Sequence, residues 1–273
     1  MKQEKLVNMI IAIALWIGGL VVIIPLIMVL VTSLKTYGEA NFLSISLPAK
    51  PMFENYVQVF TEGKIWRSFT NSTIISVFSV VLVTLLSAML SYIIMRRKSR
   101  FNGFIHKIMT FGIIAPFAAL PTIQLLKGLH IYGTYPSLMF VYAALFMPFS
   151  TILFSSFIST VPIEIDEAAV IDGCTGWNLF AKVVFPLLLP VTVTVGMLNF
   201  MWIWNDFQYP IFLLNSSSKW TLPLSVYSFF GQYNRSWNLV CADMVLVSLP
   251  VILLYVFAQK YIVSGMTAGA VKG

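Results

Sequence analysis

The chain has 273 residues, of which 59% are hydrophobic and 10% charged, and a net charge of +7; an ordinary water-soluble domain carries about 25% charged residues. So little charge excludes a soluble core of this length, and a basic excess that is neither gathered on one soluble face nor attached to a nucleic-acid motif excludes a nucleic-acid binder. The class expected is all-α, a polytopic membrane protein, because lipid leaves backbone amides satisfied only in helices or closed barrels. Runs such as IISVFSVVLVTLL lack the alternation of barrel strands.

In chain order, a tail over 1–8 precedes a first apolar run over 9–31. That run is longer than the core of a secretory signal and ends in Thr32, Ser33, Leu34 and Lys35 without a small-x-small cleavage pattern, so it is expected to remain as the first span. Further spans are expected over 70–95, 106–126, 135–158, 187–213 and 240–263, six in all, with a tail over 264–273. Each approaches the roughly 20 apolar residues that cross a bilayer as helix.

Lys and Arg set the orientation. With both ends on one side, ten basic residues share that side (Lys2, Lys5, Arg96, Arg97, Lys98, Arg100, Lys107, Lys182, Lys260 and Lys272), against seven opposite (Lys35, Lys50, Lys64, Arg67, Lys127, Lys219 and Arg235). The dense RRKSR cluster at 96–100 flanks a short turn, where the positive-inside rule is most telling. Both termini and the connection over about 160–186 are therefore expected on the cytoplasmic side.

Chemistry is sparse. Cys174 and Cys241 are expected at opposite ends of the membrane, too far apart for a disulfide. His106 and His130 have no neighbouring ligand at metal spacing, and neither a nucleophile, a catalytic carboxylate pair nor a Walker A sequence is present. No catalytic residue, metal site or cofactor site is expected in this chain. A secondary transporter would show coupling charges within its spans and related halves, but only Asp243 stands near a helix end; a channel would show a filter segment.

The polar stretch after the fourth span reads as a helix from Pro162 to about Asp172, with Glu164, Asp166 and Glu167 in a first turn whose dipole favours them and Gly173 as its stop. A second short helix follows from about Trp177 to Phe185. Ile163, Val170, Ile171 and Cys174 share one stripe with Glu167, while Glu164, Ala168 and Asp172 share another. A hairpin lying at the lipid headgroups is the plainer alternative, but an acidic helix is repelled by the negative inner leaflet, which favours docking on another polypeptide.

The run EAAVIDGCTGWNLFAKVVFPLLLP at 167–190 resembles the EAA loop of the permeases of ATP-binding-cassette importers, with Glu167, Ala168, Ala169, Asp172, Gly173, Pro186 and Pro190 at the signature positions. ENYVQVF at 54–60, SFTNSTIIS at 68–76, NFMWIWNDFQYP at 199–210 and YIVSGMTAGAVKG at 261–273 extend the likeness to nearly the whole chain and place it nearest the MalG-like carbohydrate permeases. Cys174, Phe185 and Leu189 depart from the usual pattern.

The resemblance implies six transmembrane helices and a cytoplasmic EAA coupling loop. It implies a second, MalF-like permease, two ATPase subunits carrying ATP and Mg2+, an extracytoplasmic sugar-binding protein, and a sugar or oligosaccharide as substrate. The setting implied is the plasma membrane of a bacterium or archaeon. Amino-acid and phosphate permeases share the docking logic and are the runner-up. The coupling residues carried over are Ile163, Glu167, Ala168, Ala169, Val170, Ile171, Asp172 and Gly173. The tail from Gly265 to Gly273 would touch the ATPases, although a frayed end has the same composition.

The outer connection with Trp220, Tyr227 and Tyr233 would face the binding protein or anchor the interface. For the translocation path, Asn199, Trp202 and Asn205 offer the hydrogen-bonding and stacking groups that sugars use, with Trp204 and Asp206 beside them. Helix packing accounts for Asn199 almost as well, and an aromatic belt for the others.

Overall fold

The computed structural model describes the backbone of residues 2–230 and 236–270, and the side chains of 8–9, 11–13, 15–230, 236–253 and 255–256. Among these residues the regular structure is helical throughout and no strand forms. The chain divides into two compact units, Met1–Ser68 with Leu222–Pro250 and Phe69–Thr221 with Val251–Gly273.

The first unit opens with α1, Lys2–Ser33, which Pro25 does not interrupt. Its stretch from Ile11 to Ser33 is long and apolar enough to cross a membrane, and of its described side chains only Thr32 and Ser33 at the end are buried, the mark of a helix whose partner is lipid or another subunit. A capping box between Thr36 and Glu39 starts α2, Tyr37–Ala40. Asn55, at the start of α3, Glu54–Glu62, is the knot of this unit. Its amide donates to the carbonyls of Ser33 at 2.8 Å and Lys35 at 2.9 Å, and its own oxygen accepts from Asn238 at 2.9 Å. Asn238 lies in the first turn of α13, Trp237–Ala270, so one side chain holds the end of α1 to α13. The Lys35 ammonium is buried and donates to the Ser44 carbonyl and hydroxyl rather than projecting as a free topology signal. Asp243 is fully buried, with the Ser225 hydroxyl 3.0 Å from its carboxyl.

The second unit is built on α4, Ile65–Arg96, and α7, Tyr135–Ile158, both long and apolar enough to span a bilayer. Ser72, Ser76, Ser79, Ser87 and Ser91 put small buried side chains along α4, and the Ser91 hydroxyl donates to the Thr151 carbonyl of α7 at 2.8 Å; small residues let helices approach closely without a water-driven core. One core gathers Ile75, Leu138, Tyr142, Ile203 and Leu213, and another Ala88, Phe154, Ile158, Phe180, Val184 and Leu188.

Two of the expected spans are not single helices. Residues 106–126 are not one helix: α5, Arg100–Gly112, stops and α6, Ala119–Gly128, begins after an irregular stretch containing Pro116. Proline lacks an amide proton and drives the residue before it, Ala115, out of the helical region. Gly112 meets α7 closely, since a Cβ there would lie 2.8 Å from the Pro148 ring. Residues 187–213 also divide, into α11, Leu189–Trp204, and α12, Gln208–Leu213.

Among the described residues three helices can cross a membrane by length and composition, or four if the bent pair Gly176–Leu187 and Leu189–Trp204, angled at 79°, counts as one. The stretch Trp237–Leu253 is apolar but shorter. At the far end α13 runs to Ala270, so most of the expected tail is helical. The side chains on which its expected ATPase contact depends lie outside the described residues.

Candidate coupling helix and aromatic cavity

The acidic stretch forms α8, Glu164–Ile171, beginning two residues after Pro162 rather than on it. The Ile163 carbonyl accepts from Asp166 at 2.9 Å and Glu167 at 3.2 Å. The helix ends in a Schellman turn: Gly173 N–H donates to the Val170 carbonyl at 3.0 Å and Cys174 N–H to Ala169 at 2.9 Å. Gly173 has φ +87, a conformation that strains any residue with a Cβ. The chain then forms α9, Gly176–Leu179, a π-helical turn over Phe180–Val184, and α10, Phe185–Leu187.

Only Asp166 and Ala169 of α8 are buried. Ile163 is 48% exposed, Val170 53% and Ile171 85%. Glu167, Ala168 and Asp172 are exposed as well, and among the described residues neither Glu167 nor Asp172 has a side-chain partner. Apolar and acidic groups thus share an uncovered face, while Ala169, expected at the same contact, points inward.

What holds α8 was not foreseen. The Arg96 Nε, at the end of α4, pairs with Asp166 Oδ2 at 2.8 Å, and the same guanidinium donates to the Val161 carbonyl at 3.0 Å. Within the RRKSR cluster at 96–100, Arg96 is distinguished by its place as the last residue of α4. One turn earlier on α4, Tyr92 packs against Phe180 of the π turn with ring centroids 5.8 Å apart.

The second feature is an open cavity of about 500 Å³ lined by Phe146, Leu198, Met201, Trp202, Asn205, Asp206 and Tyr209. Trp202 stacks on Phe146 at 5.6 Å and meets Phe149 edge-on at 5.1 Å. Phe146 in turn stacks on Tyr142 at 5.8 Å, which continues to Tyr209, edge-on at 6.0 Å. Asp206 is held by its surroundings: Oδ2 accepts from the Tyr142 hydroxyl at 2.7 Å and Oδ1 from the Gln208 N–H at 2.9 Å. By taking the first amides of α12, Asp206 also ends the expected long span, since an aspartate that bonds its own backbone competes with helix continuation.

Of the three residues expected to line a path, Trp202 and Asn205 line this cavity and Asn199 does not. Asn199 is buried and donates to the Ser150 hydroxyl of α7 at 2.9 Å, a packing contact between helices. Asn205 is exposed, one amide proton bound to the Met201 carbonyl at 2.8 Å. Asn71 was missed: its amide donates to the carbonyls of Ser218 at 3.1 Å and Trp220 at 3.0 Å, and its oxygen accepts from Tyr135 at 2.8 Å. A lone Asn amid Ser and Thr in SFTNSTIIS was the available sign.

An apolar helical chain, a short helix with uncovered acidic and apolar side chains, and an aromatic cavity fit the membrane component of a transport system. The chain belongs to the family of binding-protein-dependent transport system inner membrane components, which matches over residues 81–268. It is 34% identical to the probable starch degradation products transport system permease protein AmyC of Thermoanaerobacterium thermosulfurigenes, over 94% of this chain and 92% of that one. It is 34% identical to the melibiose/raffinose/stachyose import permease protein MelC of Bacillus subtilis, over 92% and 91%. It is 32% identical to the multiple sugar-binding transport system permease protein MsmG of Streptococcus mutans, over the full length of both. A crystal structure of a bacterial ABC transporter involved in the import of the acidic polysaccharide alginate shares the fold, with a TM-score of 0.81, 22% identity, and coverage of 96% of this chain and 98% of that one.

Proposed function

We propose that this chain is one of two permeases in an ATP-binding-cassette importer for a sugar or oligosaccharide. It crosses the membrane six times with both termini and α8 in the cytoplasm. A second permease completes the path, a binding protein outside delivers the sugar, and two ATPase subunits carrying ATP and Mg2+ supply the energy. The observation that carries the reading is the uncovered face of α8, where Ile163, Glu167, Val170 and Ile171 stand together on a helix of a membrane chain. A groove on the ATPase would bury the apolar side chains and pair Glu167 and Asp172, whereas solvent hydrates the two carboxylates but leaves Ile163, Val170 and Ile171 facing water. Relatives named for starch degradation products, for melibiose, raffinose and stachyose, and for multiple sugars support the substrate class.

The cavity supports it too. Aromatic faces take the apolar faces of pyranose rings while a few fixed polar groups orient the hydroxyls, the usual composition of a small-molecule site. Trp202 and Asn205 are the residues of this chain proposed to line the path. The alternation of access requires that force arriving at α8 reach the helices around the cavity without being absorbed between them. The test is co-expression with the neighbouring transport genes, reconstitution in vesicles, and uptake of labelled oligosaccharides: ATP-dependent uptake that needs the binding protein is expected, and uptake driven by an ion gradient without an ATPase would contradict the reading.

A further inference from the structure

We propose that Arg96 and Asp166 are positioning residues that deliver the movement of α8 to α4, an inference that rests on the docking role given to α8 above. An eight-residue helix is too short to persist in water on its own, so its attachment decides where a push on its face goes. Two kinds of attachment exist. The covalent one leads back through residues 159–163 to α7 and forward through α9, the π turn over Phe180–Val184, Pro186, and the 79° bend into α11. The other is the Arg96 guanidinium, which grips Asp166 within α8 and the Val161 carbonyl just ahead of it.

The second route runs into a continuous helix. The side chains of the pair are 15% and 11% exposed, so water screens it little, and a forked guanidinium fixes direction as well as distance. From Arg96 back to Asn71, α4 spans about 38 Å at the α-helical rise. Asn71 holds the segment containing Ser218 and Trp220 and the hydroxyl of Tyr135 at the start of α7. A rigid rod tied at one end to the acidic helix and at the other to this loop is the kind of contiguous element through which coupling travels. The bend at Leu188, by contrast, is a place where a push can be absorbed.

The test uses the whole importer in vesicles, recording sugar taken up and ATP hydrolysed together. Arg96→Gln and Asp166→Asn are expected to assemble and to hydrolyse ATP while sugar moved per ATP falls by about tenfold or more, because each leaves its partner buried without its counter-charge. The reversal Arg96→Asp with Asp166→Arg is expected to recover most of the ratio, a rescue that loss of fold would not give. An unchanged ratio in the single variants, or a reversal no better than either, overturns the proposal. Should the single variants fail to assemble, Arg96→Lys decides, since it keeps the charge but loses the second grip on Val161: an intermediate ratio supports the proposal and the wild-type ratio overturns it. Glu167→Lys in the same assay separates the two layers. Uptake retained there removes the docking role and this inference with it, whereas uptake lost there beside a normal Arg96→Gln removes the clamp alone.

Discussion

The α8 helix and the α11–α12 cavity are both polar insertions in an apolar chain, and they satisfy their polar groups in opposite ways. At the cavity, Asp206 is bonded to Tyr142 and to the first amides of α12, and the aromatic rings pack on one another. At α8, Glu167 has no side-chain partner among the described residues and stands beside Ile171, which is 85% exposed. A region whose groups are matched internally is a shaped surface that keeps its form without a partner. A region that leaves apolar side chains uncovered beside acidic ones has the composition of a contact surface, the role proposed for α8.

Breaking that contrast at α8 gives the largest effect. Glu167→Lys should leave the chain in the membrane and abolish ATP-driven uptake, read by labelled sugar in vesicles. Next come changes inside the matched regions, where stability is lost instead. Asp206→Ala strands the Tyr142 hydroxyl and the α12 amides and should cost about 2–4 kcal/mol, seen as a lower unfolding temperature in detergent. Asn55→Ala, which removes three hydrogen bonds at the end of α1, should cost about 2–3 kcal/mol by the same measurement. Trp202→Ala sharpens the comparison from the cavity side: assembly intact, with uptake reduced about tenfold by loss of a stacking face. Smallest is Ile171→Ser, expected to weaken ATPase association by about 1–2 kcal/mol through lost apolar burial, measured by titrating ATPase onto the membranes.

Much of this was legible in the residues. Composition and long apolar runs specified helices in lipid, and the EAA stretch with Gly173 specified a short helix with a left-handed stop, because those features depend on local chemistry alone. The breaks at Pro116 and Asp206 were harder to see. A hydropathy count treats proline and a single aspartate as minor interruptions, whereas each removes or diverts backbone hydrogen bonds. The partners of Arg96, Asn55 and Asn71 were not legible, since each pair joins residues far apart in the chain and is decided by how the helices pack, and Lys35 reaches Ser44, nine residues on, in an irregular stretch that no periodicity marks. Asn199 shows the same limit, for a polar residue at membrane depth serves a path or a neighbouring helix with the same sequence signature.

The most direct measurement is a structure of the assembled importer in nucleotide-free and ATP-bound states. The account predicts that the α8 face carrying Ile163, Glu167 and Ile171 is covered by the ATPase in both, with the helix displaced between them. An α8 face open to solvent in both states would contradict it.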